Sequence, residues 1–221
     1  MLTVWREPEA NHIYCLGVDT AEGLIHGDYS CAQVLDVRSG EQVAIWHGHI
    51  PPDTLANEVY NLALWYNDGL TCVESNNHGL TTLVQLRHLG HPNLFRKRSL
   101  NQSTSKVSQE FGWKTTRTTK PLLIDDRGMA LRSEELTIHD RYTLAELRTY
   151  VRTSRGSMAG SPHDDRVMAL ALANEMRQYA FMPEYSTKTD DYWTLDWFAR
   201  LVKPEETSEM QIGKHSMRGT L

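Results

Sequence analysis

Four acidic side chains stand out for where they fall. Asp19 closes one apolar run, His12 to Asp19 (HIYCLGVD), and Glu74 closes another, Leu70 to Glu74 (LTCVE). Asp164 and Asp165 follow Ser161-Pro162-His163 at the mouth of a long apolar helix pattern. Carboxylates without a cysteine cluster form a hard, oxygen-rich donor set that suits Mg²⁺ or Mn²⁺ and not zinc. Two such ions about 3.5–4 Å apart activate a water and stabilise the leaving oxygen in phosphodiester hydrolysis. Asp19, lying between the other acids, would bridge them. Each acid alone also has a plain role: Asp19 as a turn residue, Glu74 in a salt bridge, Asp164 as a helix cap.

The two adjacent acids differ in their local duties. With Ser161 as N-cap and Pro162 at the first helical position, Asp164 falls at N3, where a carboxylate returns to the cap amide. Asp165 has no such duty and shares a face with Met168 and Leu172. An acid at the head of an apolar stripe needs a partner, so Asp165 is the favoured ligand and Asp164 the second candidate. As histidines, His78 and His163 are candidates to assist at the leaving group or a second metal. Asp28 reads as a turn residue close enough to matter, and Asp125 and Asp126 as surface.

The elements that must position these residues follow from periodicity. His12 to Asp19, Ser30 to Arg38 and Gln42 to His49 read as three strands joined by short loops, hence antiparallel. After Pro51-Pro52-Asp53, with Asp53 as N-cap, the spacing of Leu55, Val59, Leu62 and Tyr66 predicts a helix. Leu70 to Glu74 is a short buried strand, Leu80 to Leu89 a second helix, and Asn93 to Arg98 a fifth strand. Helical crossovers make these later strands parallel to the first. Asp19 and Glu74 then emerge on the same rim, where open α/β sheets place their chemistry. Further helices are predicted from Thr119 to Met129, from a Thr143-Leu-Ala-Glu146 capping box, and from Ser161 to about Ala180.

The chain has 221 residues, 40% of them hydrophobic and 23% charged, a globular composition. No apolar run approaches the roughly 18 residues that a membrane span needs. Cys15, Cys31 and Cys72 lie far apart, which speaks against a disulfide framework and for a reducing compartment. The net charge of −5 is unevenly spread. Between Arg87 and Lys120 the cations Arg87, Arg96, Lys97, Arg98, Lys106, Lys114, Arg117 and Lys120 face Glu110 alone. Interleaved with hydroxyls, amides and aromatic rings, they suit phosphate oxygens. The alternative is an edge hairpin whose lysines block aggregation.

In order along the chain, GVDTAEGLIHGDYS, VESNNHGLTTLVQLRHLG, GWKTTRTTKPLLIDD and SPHDDRVMALALANEM resemble the nuclease domain of the large terminase subunit of tailed bacteriophages. The resemblance runs from about Leu2 to Ala180. It implies an α/β, RNase H-like mixed sheet flanked by helices, with a basic hairpin or loop insertion matching Ser99 to Thr119. It also implies metal-dependent cleavage of double-stranded viral DNA during packaging in the cytoplasm of a bacterial host. The family's first-strand aspartate falls on Asp19, its fourth-strand acid on Glu74, and its HDD motif on His163, Asp164 and Asp165. Implied partners are a terminase ATPase domain, the portal and the small terminase subunit. No phosphate-binding G-x-x-x-x-G-K-[ST] loop occurs, so no ATPase activity is expected. The chain reads as an excised domain or a nuclease-only relative.

The expected organisation is a linker-side segment at 1–11, the nuclease domain at 12–183, a packing segment at 184–200 and a disordered tail at 201–221. Other readings are a junction resolvase or integrase, which needs a dimer or a junction preference, and a DNA-gripping or portal-docking module whose acids are structural. An actin-like ATPase needs a duplicated half that is absent. An HD phosphohydrolase needs an all-helical fold, contrary to the strand-rich first half.

Overall fold

A computed structural model describes residues 1–101, 106–152, 158–159 and 163–180. The chain divides into two units, Met1–Phe181 and Met182–Leu221. The packing segment and tail expected at 184–221 lie outside the described residues.

A five-stranded sheet forms the centre, built from β1 (Leu2–Val4), β2 (Tyr14–Asp19), β3 (Ser30–Asp36), β4 (Gln42–Gly48) and β5 (Leu70–Val73). Its order is β1-β4-β3-β2-β5. Every pairing is antiparallel except β2 with β5, which run parallel. The crossover between β4 and β5 is α1 (Pro52–Trp65), and α2 (Gly79–His88) follows β5. Next come a hairpin, β6 (Arg96–Asn101) and β7 (Lys106–Phe111), then α3 (Thr119–Arg132) and α4 (Arg141–Thr149). A two-residue pair, β8 (Val151–Arg152) with β9 (Met158–Ala159), precedes α5 (Asp165–Met176).

Period-two alternation along β2 divides the core. Tyr14, Leu16 and Val18 pack with α1 and α2 on one face. Cys15 points to the other, among Leu70, Cys72 and the residues of α3 and α5. By the same alternation Asp19 and Glu74 belong to the α5 side. Helix α5 crosses β2, β3 and β5 and is covered by α3 and α4. It is buried nearly all round, as a helix apolar on every side must be. Its approach to β2 depends on Gly17, where a Cβ would collide with the backbone at Ala169 and Ala173. The three cysteines are free and buried.

Several sequence expectations shift. Leu2–Val4 forms an edge strand on β4, with Leu2 opposite Trp46, so the N-terminal segment is not merely a linker. Three residues are too few to show a period. The predicted Asn93 to Arg98 strand divides: Leu94 makes one parallel bridge to Thr71, and the chain then leaves the sheet for the hairpin. Asp140, not Thr143, caps α4, accepting from the N–H groups of Tyr142 and Thr143. Asp53 sits in the first turn of α1, whose N-cap is Pro51. Among the described residues no helix is long and apolar enough to cross a membrane.

Gly17→Ala should destabilise the protein by about 3 kcal/mol, the upper range for overpacking a dense core. Denaturant unfolding followed by circular dichroism will measure it.

Candidate active site

The parallel pair carries the first two acids to one place. Val18 and Val73 are register partners, and the Glu74 N–H donates to the Val18 carbonyl at 2.9 Å. Asp19 and Glu74 therefore leave adjacent strands at the same rim. The turn after Glu74 is tight, because α2 begins at Gly79 against the Glu74 carbonyl, with no room for a Cβ. Asn76 fixes the Glu74 side chain: its Nδ2 donates to Glu74 Oε1 at 2.9 Å and to the Thr115 carbonyl at 3.2 Å.

The third acid comes from α5, whose start is anchored by a buried polar network. Gln42 Oε1 accepts from the N–H groups of His139 and Asp140, each at 2.8 Å. Gln33 Nε2 donates to Thr143 Oγ1 at 3.1 Å and to the Arg166 carbonyl at 3.3 Å. The Arg166 guanidinium pairs with Asp140 at 2.8 Å and with Glu146 at 3.1 Å. This network ties the first turn of α5 to β3, β4 and α4 and so sets the position of Asp165.

Asp165 is 6% exposed, and its Oδ2 accepts from the Tyr29 N–H at 3.3 Å. Asp164 differs from expectation. The helix begins at Asp165, which leaves Asp164 at the N-cap with no side-chain capping bond. Ser161 and Pro162, the expected cap and first residue, lie outside the described residues. The Asp164 carboxylate instead accepts from Lys120 Nζ at 3.0 Å.

The acids lie near enough to influence one another. Burial, then the charge of Glu74 and a hydrogen bond with it, then the charges of Asp165 and Asp164, hold the Asp19 pKa well above the ordinary carboxylate range. Asp165 is pushed up to about 6, chiefly by burial; the Tyr29 N–H opposes the shift, and the charges of Asp28 and Asp164 add to it. Burial would lower the Lys120 pKa, but Asp164, Tyr150 and Glu74 together outweigh it and the net shift is upward. Among the described residues, no three His, Cys, Asp or Glu side chains are arranged to hold an ion as they stand.

The two histidines part company. His163 Nδ1 lies 3.5 Å from Asp28 Oδ1, and its ring meets Tyr29 edge-on at 5.4 Å. His78 takes the N-cap position of α2 without a side-chain capping bond. Asn76, Tyr29 and the pairing of Lys120 with Asp164 escape sequence reading, because none sits in a pattern that marks it.

The basic window is anchored by aromatic rings. Arg87 and Arg96 lie 4.6 and 4.8 Å from the Phe111 ring centroid, and Lys97 lies 4.7 Å from that of Trp113. Arg98 lies within β6 and Lys106 opens β7. Lys114 and Arg117 are exposed on the turn into α3. That turn is pinned by Thr116 and Thr119: the Thr116 N–H donates to Thr119 Oγ1 at 2.8 Å, and the Thr119 N–H to Thr116 Oγ1 at 3.1 Å.

No protein-family model matches the sequence. Solved structures do. The large terminase nuclease from thermophilic phage G20c with bound magnesium aligns with a TM-score of 0.64 at 22% identity, over 79% of this chain and 86% of its own. The Thermus phage P74-26 large terminase nuclease domain aligns with a TM-score of 0.62 at 23% identity, over 79% of this chain and 85% of its own. The chain has the fold of a large terminase nuclease. The G20c nuclease was also solved with bound cobalt, aligning with a TM-score of 0.62 at 24% identity over 79% of this chain and 86% of its own. The RNase H-like mixed sheet expected from sequence is thus the observed one. For a terminase nuclease fold, the donor set here suits a hard divalent cation: carboxylate oxygens, no cysteine, and negative charge gathered more densely than its neighbours offset.

Because the folded pKa of Asp165 lies above its ordinary value of 3.8, ionisation of this group costs stability. That cost is full above about pH 6 and disappears as pH falls toward 3.8. In chelator at pH 7.5, Asp165→Asn should stabilise the protein by about 3 kcal/mol, and the gain should vanish by pH 4. Urea titrations of both proteins across that range will measure it.

Proposed function

We propose that this chain is a metal-dependent endonuclease that hydrolyses phosphodiester bonds of double-stranded viral DNA during genome packaging. It acts in the cytoplasm of a bacterial host, alongside a terminase ATPase domain, the portal and the small terminase subunit. One observation carries the reading: the parallel β2–β5 pairing, with the Glu74 N–H on the Val18 carbonyl at 2.9 Å, brings Asp19 and Glu74 out together at one rim of the sheet. In this proposal Asp19, Glu74 and Asp165, with Asp164 as a further candidate, would hold Mg²⁺ or Mn²⁺. Such ions supply an acidified water and neutralise charge on the leaving oxygen.

The chain's own residues prepare the site. Asn76 fixes the Glu74 carboxylate, and the Tyr29 N–H fixes that of Asp165. Lys120, held cationic by Asp164, places a positive charge where a phosphate oxygen would arrive. His163, beside Asp28, is a candidate to assist at the departing oxygen. The basic window of Arg96, Lys97, Arg98, Lys106, Lys114, Arg117 and Lys120 grips the backbone and conveys no base sequence, so the choice of cutting point falls to the partners.

The test combines cleavage with binding. Wild type should cut plasmid DNA in Mn²⁺, and Mn²⁺ should raise its melting temperature by several degrees. Asp19→Asn, Glu74→Gln and Asp165→Asn should lose both effects. Persistent cutting by pure Asp19→Asn protein would refute the site. A second reading is favoured by the bonds that Asn76, Tyr29 and Lys120 already make to these carboxylates: a DNA-gripping module whose acids are structural. Mn²⁺-insensitive DNA binding without cleavage would select it. Replacing Lys97 and Arg117 by Ala should reduce the salt dependence of duplex binding by about 0.9 in log–log slope for each phosphate no longer neutralised.

A further inference from the structure

A cavity of about 430 Å³ is walled in part by Trp5, His47, His139, Arg141, Tyr142 and Arg166, with Asp140 beside Arg166. Its size is that of a small-ligand site. Its walls are aromatic and cationic: the Trp5 and His139 rings lie 5.8 Å apart, and Tyr142 is 53% exposed. The guanidinium carbons of Arg141 and Arg166 lie 4.8 and 5.3 Å from the Tyr142 ring centroid. Arg166 is committed to Asp140 and Glu146. Arg141, exposed, donates from Nη2 to the Tyr142 hydroxyl at 2.7 Å and forms no ion pair among the described residues. Ring faces beside a cation are the elements that stack bases and hold the attached phosphate in single-strand binders.

Two contacts join this cavity to the acids. Arg166 follows Asp165 directly in the chain. His47 stacks on Tyr29 with centroids 4.6 Å apart, and the Tyr29 N–H bonds to Asp165 at 3.3 Å. The walls are preformed, because the Gln33, Gln42, Asp140 and Thr143 network fixes the start of α4 from beneath. A preformed wall spares the ordering cost of binding.

We propose that this cavity binds an unstacked nucleotide at a single-stranded DNA end, its base against Tyr142 and Trp5 and its phosphate on Arg141. The assignment rests on the nuclease reading, since a strand end is what cleavage creates. A base inside intact duplex stays stacked and does not enter.

The test uses fluorescein-labelled tetrathymidylate in chelator, read by anisotropy, so that cleavage is silent. Wild type and Asp19→Asn should bind it alike. Tyr142→Ala and Arg141→Ala should each weaken binding by roughly tenfold, and Tyr142→Phe, which keeps the ring, should not. Blunt duplex should bind Tyr142→Ala as it binds wild type. Both alanine variants alter exposed side chains, and unchanged melting curves will confirm their folding. Absence of wild-type binding, or tetrathymidylate affinity unchanged in both alanine variants, overturns the proposal. The two readings fail separately. Cutting that survives in Asp19→Asn removes the nuclease site and leaves Tyr142-dependent binding standing. Cutting abolished in Asp19→Asn with normal oligonucleotide binding by both alanine variants removes the cavity alone.

Discussion

Like charges repel, and this fold holds several of them together. Burial first, and the neighbouring carboxylates after it, raise the pKa values of Asp19 and Asp165. The repulsion is met by elements that cannot relax apart. The β2–β5 pairing locks Asp19 beside Glu74, the Gly17 contact presses α5 onto β2, and the network around Gln33, Gln42 and Arg166 holds the first turn of α5. Remove any one and the carboxylates gain room to separate.

The surrounding hydrogen bonds serve the same end. Asn76, the Tyr29 N–H and Lys120 each take one carboxylate, orienting side chains that would otherwise turn to solvent. Such outer partners set the geometry and basicity of ligands as strongly as the ligands themselves. Lys120 also joins the acidic and basic halves of the surface. It lies in the first turn of α3, entered by way of the Thr116–Thr119 turn that carries Lys114 and Arg117. The basic turn and the acids are thereby joined through one ion pair.

Local sequence rules succeed where neighbouring residues decide the outcome. The apolar alternation ending in Asp19 and the short run ending in Glu74 mark strand ends, and the helical crossover between them implies parallel neighbours. The rules fail where a distant residue competes. Asp164 has the spacing of an N3 cap partner, but Lys120 takes its carboxylate. Thr143 and Glu146 have the spacing of a capping box, but Asp140 caps the helix and Glu146 turns to Arg166. Leu2–Val4 is too short to show a period, and only the edge of β4 makes it a strand.

The sequence by itself determined the chemical inventory: hard oxygen ligands without cysteine, a segregated block of cations, and the strand and helix starts that carry the acids. It did so because composition and periodicity are properties of the local chain. The tertiary structure decided which side chains meet. Asn76 against Thr115, Tyr29 against Asp165, Lys120 against Asp164 and the cavity lined by Trp5 and Tyr142 all join segments far apart in the sequence. Such contacts arise only when strand register and helix docking fix positions in three dimensions, and no spacing rule along one dimension encodes them.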